Sequence, residues 1–430
     1  MKPLHPNFPF YPKRFPFYYG WVVAFAGTLG VVTSIPGQTM GVSAFNESLL
    51  RDMNLDRSGL SYAYLGGTLL SGLLLPLAGK VYDRIGDRRL GVLACIGMGM
   101  TLLLLSRADS MARYLGNGEV MSLLLMGVLF FLLRFSGQGV LTMVSRTMVS
   151  KWFRRHRGFV IGCSGVVVSF AFGYAPRFLH QLVSHFGWRE AWQILGLVSM
   201  LMMGGLAWLL FRDTPESCSL ELDAAEGHDS NDLPEEPSFT WKQAKGTFAF
   251  WGVALALFSQ ALIVTALTFH LEALATGQGL SGREGFEIFF PMSIIATITG
   301  FLAGWYCDKG PIRWLVLFMM ACTGLGCYGS IRMESELGYW MTAAGFGLSG
   351  GCFSPLSSVA LPNFFGRDHI GEISGRCMSI VVIGSALGPS ILSILLKGEK
   401  DFSEGFFYLT FLPVCVISLS FFIRPPQRDK

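Results

Sequence analysis

Runs of about twenty apolar residues, repeated along the chain, decide what this sequence can fold into. Twelve such runs fall at 18–46, 58–82, 89–107, 119–150, 157–184, 189–211, 247–273, 284–307, 312–331, 337–362, 370–396 and 404–424. A backbone that crosses a bilayer must satisfy its own N–H and C=O groups, so each run is expected to be a helix. Charge content agrees. Only 14% of the 430 residues are charged, against about 25% in a soluble domain, too few to coat a water-facing surface. The first run is longer than the apolar region of a signal peptide and is expected to stay as the first span, with Tyr18, Tyr19 and Trp21 at the headgroup level.

Basic residues sort by loop. Lys13, Arg14, Lys80, Arg84, Arg88, Arg89, Lys151, Arg154, Arg155 and Arg157 fall on one side of the first six spans, and few basic residues fall on the other. The positive-inside rule then puts both termini in the cytoplasm and the chain in the inner (plasma) membrane as a multi-pass protein. The acidic, polar stretch 213–246 reads as a cytoplasmic linker. The expected organisation is a tail at 1–17, a six-helix bundle at 18–212, the linker, a second bundle at 247–424 and a tail at 425–430. The fold class is thus all-α integral membrane, with twelve transmembrane helices in two pseudo-symmetric six-helix bundles.

Several functions are disfavoured. The nine cysteines lie mostly in apolar runs, without the paired spacing that holds zinc. A net charge of +4 is too slight to suggest nucleic acid as a partner. No phosphate-binding G-x-x-x-x-G-K-[ST] loop and no HExxH motif occurs. The chain is therefore read as neither an enzyme nor an ATP-driven pump, and no cofactor is expected.

The halves echo each other weakly. GKVYDRIGDRRL (79–90) is answered by GWYCDKGPIRWL (304–315), and WFRRHRG…AP (152–176) by FFGRDHIG…GP (364–389). Parallel six-helix repeats build one large class of secondary transporters. The segment 79–89 resembles the loop between spans two and three of major facilitator carriers, G-x-x-x-D-R-x-G-x-R-R, at every fixed position: Gly79, Asp83, Arg84, Gly86, Arg88 and Arg89. That resemblance implies a latch between the halves. Gly79 would admit a neighbouring helix, Gly86 a tight turn, and Asp83 would face the N-terminus of span eleven. Arg84, Arg88 and Arg89 would meet anionic headgroups. Arg146 is expected to partner Asp83, and Glu372 and Arg376, four residues apart on span eleven, to gate.

FYYGWVV, WFRRHRGFVIGCSG, FGWREAWQILG and FFGRDHIGEISG together resemble monocarboxylate-porter and oxalate–formate-type carriers. This implies carriage of small organic anions, often with a proton. One departure stands out. Monocarboxylate porters commonly place an Asp and an Arg one turn apart in span eight, and the corresponding places here are near Ala296 and Gly300.

Either the anion is held elsewhere, or the substrate is not a simple monocarboxylate. A charge inside a span is costly, and Arg134 lies near the middle of span four. Its fork could pair a carboxylate in two places. Gln138 is four residues on. Pro36 and Gly37 should interrupt span one, setting Gln38 and Thr39 at the same depth, and Gln260 lies mid-span in span seven. These five are the candidate substrate contacts. His270 and Glu287 are candidate proton sites. The expected function is alternating-access transport of small, monocarboxylate-like anions by proton symport or anion exchange. The expected partners are the anion, a proton and the bilayer, and the carrier is expected to be a monomer. A proton-driven efflux carrier for drugs or metabolites is the alternative, and a non-transporting receptor or scaffold the remote one.

Overall fold

The computed structural model describes residues 7–53, 55, 57–116, 118–222, 238–280, 282–395 and 402–426, and every regular element among them is helical. Proline and glycine decide where the spans break. α1 (Gly20–Thr33) stops before Pro36, a single 3-10 turn covers Ile35–Gly37, and the chain resumes as α2 (Thr39–Ser43) and α3 (Asn46–Met53). Proline has no backbone N–H to give the helical ladder, so the break falls where the sequence places Pro36. Spans two and three, expected as separate helices, run as one trace, α4 (Arg57–Leu105), with Gly86 non-helical inside it at φ 82 and ψ 174. Only glycine adopts that conformation without strain, which is the tight turn expected there.

Span four follows the short α5 (Ala108–Tyr114). It is built from α6 (Glu119–Leu133), a π-helical stretch Arg134–Leu141 and α7 (Thr142–Trp152). Then come α8 (Arg157–Phe186), α9 (Trp188–Leu197), a second π stretch Val198–Met203, and α10 (Gly204–Leu210). After the linker stand α11 (Trp241–Ala244), α12 (Phe248–Gly277), α13 (Gly282–Glu287), α14 (Phe289–Cys307), α15 (Ile312–Ser330) and α16 (Glu336–Pro355). A third π stretch, Leu356–Ala360, leads into α17 (Leu361–Phe365), and α18 (Ile370–Leu395), α19 (Phe402–Leu409) and α20 (Phe411–Ser420) complete the chain. The fourth span of each half thus carries a π stretch. Such stretches are rare and gather at functional sites.

Eight helices among the described residues are long and apolar enough to cross a membrane, and Gly20–Thr33 and Glu404–Ser420 are shorter apolar helices. Large apolar side chains such as Phe25, Leu73, Phe170, Phe290 and Phe421 stand exposed on the helices, as lipid contact requires.

The chain divides into two compact units. The first comprises residues 1–154, 171–232 and 374–379, and the second residues 155–170, 233–373 and 380–430. The first half of α8 therefore groups with the second unit, and six residues of α18 with the first. Inside the first unit, Phe45 stacks on Trp192 with ring centroids 3.7 Å apart, and Tyr19, Trp152 and Phe211 are fully buried. In the second unit Leu262, Ile263, Leu271, Phe346 and Phe406 belong to one buried apolar cluster.

Residues 223–237 of the expected linker lie outside the described residues, and so do tail residues 1–6 and 427–430. The linker's flanks are tied down. The Asp213 carboxylate accepts from the backbone N–H groups of Asp87 (2.7 Å) and Arg88 (3.3 Å), just past the Gly86 turn. On the other flank Thr240 and Gln243 form a reciprocal capping box on α11.

Candidate functional site

The break in span one and the π stretch in span four meet backbone to backbone. A Cβ on Gly37 would lie 2.9 Å from Gly137 Cα and 3.0 Å from Leu133 O, so only glycine permits the approach. This brings the Gly37 carbonyl to Arg134. The Arg134 Nη1 donates to Gly37 O (3.2 Å) and to Thr39 Oγ1 (3.4 Å). The Tyr64 ring from α4 lies under the guanidinium, 5.1 Å from Cζ to centroid, and the Tyr64 hydroxyl donates to the same Thr39 oxygen at 3.0 Å. Arg134 is 1% exposed. Its Nε and Nη2 are buried and make no hydrogen bond, and neither does Gln138 Oε1. No ion pair joins Arg134 to a carboxylate among the described residues.

A guanidinium needs more than this. Unmade hydrogen bonds to a buried charged group cost several kcal/mol, of order 1–3 per neutral group and more for a charge. Nε–H and one Nη2–H point the same way, as the edge that takes a carboxylate in two parallel bonds. The site is thus a fixed cation with its bidentate edge unfilled.

Gln38 and Thr39, expected to contact substrate, are also hydrogen-bonded within the fold. Gln38 Nε2 donates to Ser34 Oγ (3.1 Å) and Thr142 Oγ1 (3.4 Å), and Thr142 Oγ1 also donates to Ser34 Oγ, so Gln38 braces span one against span four. Thr39 accepts from both Tyr64 and Arg134. Tyr64 was not foreseen, because one tyrosine in an apolar run carries no flag.

In the second unit Gln260 is 7% exposed on α12. His270 Nε2 lies 3.1 Å from Pro389 O and 3.3 Å from Ser393 Oγ, so its ring is held against α18. Glu287, expected about one turn into span eight, instead ends the short α13 and is exposed, because the helix breaks at Ile288 before α14 begins. The places near Ala296 and Gly300, where the resembled carriers set a charged pair, lie in a tight helix contact. A Cβ on Gly351 of α16 would come 2.6 Å from Ala296 O and 2.8 Å from Gly300 N. A Cβ on Gly300 itself would lie 3.3 Å from Gly351 O, tight but short of a backbone clash.

The 79–89 turn is part exposed, with Tyr82, Asp87 and Arg88 buried and Lys80, Asp83 and Arg84 exposed. Arg88, expected among the headgroups, is 4% exposed. It donates from Nε to Trp208 O (2.5 Å) and from Nη1 to Phe8 O (2.8 Å), and stacks on the Trp208 ring. Carbonyls of Phe8 and of Trp208 in α10 thus take Nε and Nη1, while Nη2 is buried without a hydrogen bond. Arg212 donates to the same Phe8 carbonyl. Beside it, buried Asp87 accepts from Lys151 Nζ (2.8 Å) and from the Tyr82 hydroxyl. Asp83 and Arg84 are exposed, Arg146, Glu372 and Arg376 half-buried. Gly79 is the close neighbour of Gly375, whose Cβ would lie 3.0 Å from Gly79 Cα. The second unit holds the comparable turn: Asp308 accepts from the backbone N–H groups of Gly158 (2.6 Å) and Phe159 (2.8 Å) at the N-terminus of α8. Burial pushes the Asp308 carboxyl above the usual range, outweighing those two bonds.

At the opposite end of the first unit, Arg189 Nη2 bridges Asp52 (3.0 Å) and Asp109 (2.7 Å), while Trp188 Nε1 donates to Asp52 (2.9 Å).

Residues 27–389 match the family model of the Major Facilitator Superfamily. The chain is 24% identical over 416 residues to Monocarboxylate transporter 11 of Mus musculus, covering 90% of this chain and 83% of that protein. It is 22% identical over 375 residues to the Gallate transporter of Pseudomonas putida, covering 81% and 80%. Two solved structures share the fold: the proton:xylose symporter XylE bound to 6-bromo-6-deoxy-D-glucose (TM-score 0.68, 15% identity, 94% and 96% covered), and the human organic anion transporter MFSD10 (TM-score 0.63, 14% identity, 93% and 99% covered). The chain is a polytopic membrane transporter, not an enzyme, and belongs to the Major Facilitator Superfamily.

Proposed function

We propose that the protein carries small, monocarboxylate-like organic anions by alternating access, and that Arg134 is the residue the anion binds. One observation carries this reading: a buried guanidinium keeps its two-pronged edge without a hydrogen bond. Curated relatives whose names specify monocarboxylates and gallate, a carboxylate, support it. Gln138, one turn along, and Gln260 complete recognition. The coupling is proton symport or exchange of one anion for another, with His270 and Glu287 as the proton sites. The protein works as a monomer in the plasma membrane with both termini in the cytoplasm, as the basic loops favour. The turn 79–89, with Gly79, Asp83, Arg84 and Gly86, and the groups Arg146, Glu372 and Arg376 form the gate. Arg88 serves that gate from inside the fold, by anchoring the turn.

Purified protein challenged with a panel of carboxylates at two pH values tests the reading. Stabilisation by at least one acid, stronger at the lower pH and lost in Arg134→Ala, is expected. Equal stabilisation of Arg134→Ala would remove Arg134 from the site.

A further inference from the structure

We propose that Tyr64 is a positioning residue for the anion site: it fixes which edge of the Arg134 guanidinium is offered to the guest. The proposal rests on the reading that Arg134 binds the anion. Arginine side chains have many rotamers, and a mobile fork loses entropy on each capture. Here three contacts remove that freedom. Nη1 is held by Gly37 O and Thr39 Oγ1. One face lies on the Tyr64 ring, an attraction between a cation and the ring quadrupole. The ring is itself pinned, by its hydroxyl bond to Thr39 and by an edge-on contact with Phe130 at 5.5 Å and 76°. The same Thr39 oxygen thus ties the arginine and the tyrosine to each other.

The consequence is geometric. With Nη1 engaged and one face covered, Nε and Nη2 are the nitrogens left for the guest. They form the side-on edge, which receives a planar carboxylate in the plane of the guanidinium. Removing the ring frees the guanidinium to turn, and the edge is then offered only part of the time. Affinity should fall by that fraction, while the translocation step, which Tyr64 does not touch, should keep its rate.

The test is uptake of labelled lactate, benzoate and gallate into proteoliposomes. The variants are Tyr64→Leu, Tyr64→Phe, Arg134→Ala, Arg134→Lys and the pair Arg134→Lys with Tyr64→Leu. Tyr64→Leu is expected to raise KM about tenfold with the maximal rate within about twofold of wild type. Tyr64→Phe keeps the ring and loses the Thr39 bond, so its KM should rise about threefold. A lysine has no edge to orient, so in the Arg134→Lys background Tyr64→Leu should add less than about twofold. A residue that only supports the fold would depress the maximal rate equally in both backgrounds, and that result overturns the proposal. So does Arg134→Ala abolishing uptake while both Tyr64 variants keep wild-type KM. If Tyr64→Leu fails to fold, Tyr64→Phe carries the decision alone. Wild-type uptake of none of the three acids, or uptake that survives in Arg134→Ala, removes the anion reading itself and Tyr64's role with it.

Discussion

Lys151 Nζ lies 2.8 Å from Asp87 Oδ2, and the Tyr82 hydroxyl donates to the same carboxylate, whose side chain is fully buried. This charge is settled inside the fold, whereas the Arg134 guanidinium, no better exposed, keeps an unfilled edge. On the proposed reading the contrast separates a structural charge from one that binds substrate, and the structural side of it can be measured. Lys151→Met leaves Asp87 buried without its counter-charge, a loss of about 3–5 kcal/mol for a buried pair broken on one side. Replacing both, as Asp87→Asn with Lys151→Met, removes the orphan and should recover most of that loss. Thermal melting in detergent should therefore rank the single variant below the double, and the reverse order would mean that the pair does not stabilise the fold. Sequence alone pointed to Arg134 because a charge in the middle of an apolar run is conspicuous. It could not point to Asp87, which sits in a basic loop beside obvious topology signals and finds its partners 64 and 126 residues away.

At the scale of elements, what proline and glycine dictate was legible. The break at Pro36–Gly37 and the turn at Gly86 follow from backbone chemistry local to those residues. The π stretch at Arg134–Leu141 was not, since no residue type demands it. Nor was the contact between α14 and α16, which depends on two glycines 51 residues apart meeting across helices. That contact predicts a cost. Gly351→Val would drive a side chain to within 2.6 Å of Ala296 O, an overpacking penalty of about 1–3 kcal/mol. A lowered melting temperature with Arg134-dependent binding intact is the expected outcome; an unchanged melting temperature would mean the helices part freely. A second element contact answers to pH. Asp52, Asp109 and Arg189 join α3, α5 and α9. Burial raises the Asp52 carboxyl, but hydrogen bonds from Trp188 and Arg51 and the Arg189 charge outweigh it and hold it below the usual range. For Asp109 burial is likewise outweighed, by Arg189, the Ser110 backbone and Arg113. A carboxyl held low stabilises the fold fully above its unfolded pKa of about 3.9 and loses that contribution as pH falls through its folded value. Arg189 is partly exposed, so solvent screening keeps the effect to about 1 kcal/mol or less. Arg189→Ala should lower the melting temperature slightly at pH 6, and the gap to wild type should close below about pH 4. A gap that widens in acid would contradict the ion pairs.

For the molecule as a whole, sidedness is the property every mechanistic step depends on, since it decides which end of the carrier admits its substrate from outside. The proposed orientation follows from loops such as 79–89 and 151–157, whose basic residues resist translocation. Part of that charge is now accounted for inside the fold: Arg88 is bound by Phe8 and Trp208 carbonyls, and Lys151 by Asp87. A folded charge still counts, because orientation is set while the chain inserts, before these partners have formed. The orientation therefore predicts labelling. Tyr114, the last residue of α5, is 91% exposed, and Arg155 is exposed between α7 and α8. In a background with the exposed Cys415 replaced, a cysteine at position 114 should react with a membrane-impermeant maleimide on intact cells. A cysteine at position 155 should react only after the membrane is opened. The opposite pattern would turn the carrier over, place the Arg189 clasp in the cytoplasm, and make the acid-sensitive end face the cell interior.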